Sequence, residues 1–304
     1  MKKARRGGRA TTRTNPRLGF QPSPILRAKA SGRKKRSRYP CRGQKIPLSR
    51  GPIAPRRCGP IAGRDLPPWA ASYFELALPP VPEMTSPRAW AFGLIGIHEY
   101  LGRLSGDSLV NQTRDTLTSR LMGLLAQNTR PDWCWFEEEL SYDNAKLPHA
   151  LILSGRAMGN ETVFERGLHT LRWLNELQIS EQGHFRPIGS NGFYRHGGTR
   201  ARFDQQPIEA QAMVSACLEA YRATSDVWWY EQAQRAFDWF LGWNDLGLEL
   251  YQPESGGCGD GLHVDRINGN QGAESTLAFL LSLTEMRLAQ NMVTSFKQPI
   301  AVGA

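Results

Sequence analysis

From Ser86 onward the chain alternates between two kinds of apolar segment. Residues 89–97, "AWAFGLIGI", are apolar on every side, whereas 108–126 set Leu109, Val110, Thr113, Leu117, Leu121, Leu124 and Leu125 at helical spacing against a polar back. Residues 147–158 are again mostly apolar all round, and 161–179 return to a stripe of Val163, Phe164, Gly167, Leu168, Leu171, Leu174 and Leu177. The cycle repeats with 207–221 and 228–241 and ends with 274–289. A helix that is apolar all round is buried on all sides, and a striped one keeps a wet face. The spacing therefore predicts an all-α protein of about seven helices, four inner and three outer, with strands at most minor.

The connections alternate as well. Inner-to-outer links are short, near 105–107, 159–160 and 224–226, while outer-to-inner links run over roughly 129–146, 180–206 and 244–272. Loops that long in a compact domain usually carry function. All three enter inner helices, so they are expected on one rim. Each combines aromatics, glycines, carboxylates and amides and ends in polar residues just before a helix: Asp143-Asn144, Asp204-Gln205-Gln206 and Asn270-Gln271.

That content suits a hydroxyl-rich ligand. Aromatic faces stack on sugar rings, amides and Arg bond the hydroxyls, and two carboxyls across a cleft act as general acid and base. The candidate catalytic residues are Asp204, Glu209, Asp143, Glu274 and Asp260; the candidate substrate-binding residues are Asn144, Gln205, Gln206, Asn270, Gln271, Trp133, Trp135, Phe193, Tyr194 and Arg202. Each has a plainer reading: acids and amides cap helices, and loop aromatics pack beneath loops. A helix start needs only one or two caps, and the surplus around Asp204 to Glu209 is what points to a cleft. The histidines His184, His196 and His263 show no ligand spacing, so neither metal nor cofactor is expected.

Charge divides the chain. Residues 1–67 hold 20 Lys and Arg against the single acid Asp65, and the remainder holds 18 basic and 27 acidic residues, a net of −9. The pI near 9.6 thus belongs to a tail. Three readings of that tail stay open: a nucleic-acid or anionic-surface binder, a segment too polar to fold, and a misassigned start or frame. The acidic body gives nucleic acid no electrostatic reason to bind. Five scattered cysteines, without a signal peptide or a run of apolar residues long enough to span a bilayer, point to a reducing, cytoplasmic setting. The expected organisation is a tail at 1–67, a linker at 68–85, the helical domain at 86–290 and a tail at 291–304.

The alternation resembles the six-hairpin (α/α)-toroid superfamily, which includes many glycosidases, polysaccharide lyases and sugar epimerases. The segments "WFEEELSYDNAKLPHAL", "GHFRPIGSNGFY…FDQQPIEA" and "GGCGDGL…NGNQGAEST" are similar, in order, to motifs of an (α/α) region found in bacteria beside or fused behind group 1 glycosyltransferases. The resemblance implies an incomplete toroid, a fragment of a longer ancestor, since seven helices fall short of six hairpins. It implies a carbohydrate-active domain with an oligosaccharide or glycoconjugate as ligand and a glycosyltransferase as partner. A non-catalytic sugar-binding or scaffold domain is the alternative.

Overall fold

The computed structural model describes residues 68–297, and they are mostly helical. The eight helices among them are α1 (Pro68–Ala77), α2 (Pro87–Leu101), α3 (Ser108–Asn128), α4 (Lys146–Met158), α5 (Glu161–Leu177), α6 (Pro207–Thr224), α7 (Val227–Asp238) and α8 (Ala273–Lys297). The residues expected to form a tail at 1–67 and the end of the one at 291–304 lie outside the described region. Residues 68–85, expected as linker, instead carry α1 and a 3-10 turn at Val81–Glu83. α1 half-buries Ala71 and Phe74 and leaves Trp69, Tyr73 and Leu76 exposed, with Leu78 buried just past its end, so it lacks the buried stripe that marks the later helices.

Local chemistry starts and stops these helices. Asp107, Asn160 and Asp226 cap α3, α5 and α7 by accepting from Val110 N at 3.0 Å, Val163 N at 3.2 Å and Trp228 N at 3.0 Å. Each satisfies an amide that has no partner within the helix. Pro87 and Pro207 open α2 and α6, where the missing N–H costs nothing. Gly159 closes α4 in the left-handed region at φ 63°.

Packing follows the alternation. α2 lies on α4, α4 on α6 and α6 on α8, while α3, α5 and α7 each contact the two members of that row that flank them in sequence. α4 and α6, central in the row, are buried almost throughout, as their composition predicts. α2 and α8, at its ends, are not: Phe92, Leu277, Leu280, Leu281 and Leu288 are exposed. Among the described residues, an end helix has a member of the row on one flank only. α4 and α5 approach through glycine, since a Cβ on Gly155 would lie 2.4 Å from Phe164 N and one on Gly167 2.9 Å from Ile152 N.

The inner helices also bury polar groups that an all-apolar reading misses. Gln211, Ser215 and Glu219 recur along one side of α6, Glu209 stands on another, and all four are buried. Strands are minor, as expected, but they stitch the long loops together. β1 (Glu139–Leu140) pairs antiparallel with β2 (Tyr194–Arg195), and Gln205 bridges to Leu262. The pairs β3 (Tyr251–Gln252) with β4 (Gly257–Cys258) and β5 (Gly261–Leu262) with β6 (Ile267–Asn268) order the third loop.

Candidate active site

The segment leading into α4 makes a tight turn at Asp143, whose φ of 49° is left-handed and whose backbone oxygen accepts from Lys146 N at 3.2 Å. Glu209, in the first turn of α6, holds that turn from across the interface. One carboxylate oxygen accepts from Asp143 N, and the other from Asn144 N at 3.4 Å and Asn144 Nδ2 at 3.1 Å. Asn144 in turn accepts from Ser141 N at 3.0 Å and donates to Ser141 O at 3.2 Å. Both oxygens of Glu209 are thus spent on positioning the loop.

The Asp143 side chain is different. It is fully buried, and neither carboxylate oxygen has a hydrogen-bond partner. Burial pushes its pKa up to about 6 against the opposing charges of Lys146 and Arg88, with Glu274 adding to the rise. Burial raises Glu209 to about 7, and the Asp143 charge adds to that while bonds from Asn144 and the Asp143 backbone oppose it. Both carboxyls are moved toward neutrality by desolvation, and the charge of Asp143 adds to the rise of Glu209, a perturbation characteristic of acid/base sites. Glu274, exposed in the first turn of α8, accepts from the Tyr142 hydroxyl at 3.3 Å. Burial first, then the charge of Glu274, pushes that hydroxyl to about 12. The amino ends of α4, α6 and α8 therefore converge on Asp143.

Arg88, from the first turn of α2, ties down the same segment. It donates to Tyr142 O at 2.5 Å, Glu137 at 2.6 Å and Ser141 Oγ at 2.8 Å. Arg88, Tyr142 and Lys146 were missed in the sequence. Tyr142 and Lys146 flank Asp143-Asn144 in "SYDNAK", but Arg88 carries no local signal.

The remaining predicted residues do not join this group. Asp204, at φ 58°, meets His263 Nδ1 at 2.5 Å, and its backbone oxygen accepts from Ser190 N at 3.0 Å. Asp260 accepts from Asn270 Nδ2 and from Gly272 N at 2.7 Å, which sets it as an anchor just ahead of α8. Gln206 begins α6 without a side-chain cap bond. Gln205, expected to bind substrate, is fully buried and spent: it donates to Arg202 O at 2.8 Å and Asp245 at 2.7 Å and accepts from Trp239 Nε1 at 2.7 Å. Gln271 is likewise engaged by Gln252 at 2.6 Å and Ser255 at 2.8 Å. Arg202 pairs with Asp245 at 2.9 Å.

The aromatic platforms require a correction. Trp133 and Trp135 are buried, not presented to solvent; Trp133 donates to Glu137 O at 2.7 Å and stands edge-on to Trp173 and Tyr194, each with ring centroids 5.3 Å away. Their large apolar area is better removed from water beneath the loop than held out for a ligand. Phe193 and Tyr194 are half-buried beside them.

The hub of the loops is Asp245, which sequence reasoning passed over. Its carboxylate, almost wholly buried, receives Arg186 at 2.6 Å, Arg202 at 2.9 Å, Gln205 at 2.7 Å and His184 at 3.3 Å. Burial opposes its charge, but these bonds and the Arg186 guanidinium outweigh it and hold the carboxyl far below the usual range. No group of His, Cys, Asp and Glu among the described residues has a metal-holding geometry. Cys217 and Cys258 are buried free thiols. No described helix is long and apolar enough to cross a membrane. An open depression on α3, lined by Gln112, Asp115, Thr116, Ser119 and Arg120, includes none of the predicted site residues. No protein-family model matches the chain, and no curated protein shows significant similarity to it.

Proposed function

We propose that this is a carbohydrate-active, glycosidase-like domain built as an incomplete (α/α) toroid, in which Asp143 is the general acid and Glu274 the facing carboxylate. The observation that carries the reading is the pair at the head of α4 and α6: Asp143 unpartnered and buried, with Glu209 spending both oxygens to hold it there. A buried carboxyl that keeps its proton near neutrality can deliver it to a leaving oxygen. Glu209 is then a positioning group, and Glu274 the one with a face to solvent. Since Asp143 is closed to water, turnover requires the 137–145 segment to open, and Arg88 is what must release it. The exposed leucines of α8 fit an open end of the helix row.

The test is release of reducing ends from a panel of bacterial oligosaccharides and glycolipid headgroups. Asp143→Asn and Glu274→Gln are expected to lose at least ~10²-fold in turnover, the scale of positioned acid/base groups, while binding persists. Turnover by Asp143→Asn at the wild-type rate would sink the assignment. The closure of Asp143 to water favours a second reading, a non-catalytic sugar-binding or scaffold domain that assists a glycosyltransferase. It predicts saturable glycan binding without cleavage by any variant.

A further inference from the structure

We propose that Lys146 is a positioning residue whose ammonium, held by a directed hydrogen-bond chain across the helix row, makes a negative charge tolerable on Asp143. Lys146 Nζ donates to Gln211 Oε1 at 3.1 Å, Gln211 Nε2 to Ser215 Oγ at 2.8 Å, and Ser215 Oγ to Glu285 Oε1 at 2.8 Å. The direction is fixed by its ends. An ammonium can only donate and a carboxylate only accept, so the amide of Gln211 and the hydroxyl of Ser215 have one consistent orientation. The chain links α4 to α6 to α8 and fixes the ammonium at the α4–α6 interface, two residues along α6 from Glu209, while Lys146 N donates to the Asp143 backbone oxygen one turn away.

The other groups around Asp143 are Arg88 from α2, Tyr142 from its own segment, Glu209 from α6 and Glu274 from α8. Arg88 is already committed to Glu137, Ser141 and the Tyr142 carbonyl, whereas the Lys146 ammonium donates to a neutral amide. The groups around Lys146 are Asp143, His149 and Glu285, and Arg222 also acts on the latter two, with Glu219 acting on Glu285. Of the cations near Asp143, Lys146 is therefore the one whose charge is not met by a bonded carboxylate. The inference rests on the reading of Asp143 as the acid, but its readout needs no substrate.

The experiment follows the side-chain carboxyl carbons of Asp143 and Glu209 by NMR over pH 3–9 in the wild-type chain and in Lys146→Met, Lys146→Arg and Ser215→Ala. Lys146→Met should raise the Asp143 midpoint by about 1 unit, a tenfold change in its acid constant. Lys146→Arg should return it close to wild type, and Ser215→Ala, a small change in a buried position, should move it the same way by less. A wild-type midpoint in either Lys146→Met or Ser215→Ala overturns the proposal. Should no glycan be turned over while these shifts appear, the catalytic reading fails and this one stands.

Discussion

Replacing Asp143 by Asn should stabilise the protein at alkaline pH and leave it unchanged in acid. The carboxyl is fully buried without a partner, and its pKa moves from 3.8 to about 6. Unfolded, it ionises freely above pH 4; folded, it resists ionisation until about pH 6. The folded state thus binds more protons between those values, so stability falls as pH rises through them. At ~1.4 kcal/mol per unit, the ionised residue costs the fold about 3 kcal/mol at pH 8. Asn carries no charge to desolvate, and it is among the residues that tolerate the left-handed φ of 49° at this turn. Asn also removes the charge that raises Glu209, an effect of the same sign. The gain should appear as a Tm higher by roughly 5–10 °C at pH 8, and by less than about 2 °C at pH 4. Calorimetry at both values decides it. A variant that is less stable at pH 8, or equally stabilised at both pH values, would refute the claim that burial of an unpartnered carboxyl is what perturbs this site. Stability gained with activity lost is the expected signature of a functional acid.

Asp245→Ala should destabilise the fold by about 3–5 kcal/mol, because it strands Arg186 in a nearly closed site; a urea titration measures it. The same carboxyl sits below its ordinary range, so its contribution in the wild type is present above pH ~4 and lost as pH falls further, which acid unfolding of the two chains would compare. Gly155→Ala would place a Cβ 2.4 Å from Phe164 N, and the helices can only separate to admit it. A loss of about 2 kcal/mol or more in thermal unfolding is expected, and a neutral result would contradict the close approach of α4 and α5. Trp239→Phe removes the donor to Gln205 Oε1 in a dry interior and should cost about 1–3 kcal/mol, read in the same way.

Much of the architecture could be read from residues near one another in the chain. The stripe Val163, Phe164, Gly167, Leu168, Leu171 defines α5 because helical side chains three and four apart share a face. Asp107, Asn160 and Asp226 mark helix starts because a cap acts within three residues. α4 and α6, mostly apolar around their circumference, lie in the middle of the row, as that pattern requires. The site was visible as a list of acids and amides before inner helices, and Asp143, Asn144, Glu209 and Glu274 from that list do come together.

Which members of the list met was decided elsewhere. Asp143 and Glu209 are 66 residues apart, and nothing in either neighbourhood names the other. Gln205 reads like a ligand amide but faces Trp239, and Trp133 reads like a platform but is covered. Arg88 and Asp245 became organising residues only through what lay opposite them. The amino-acid sequence by itself determined periodicity, caps and turns, because those interactions close within about a helical turn. Burial, carboxyl pairing and the resulting proton affinities were settled by the tertiary structure, because each depends on which distant surface removes the water.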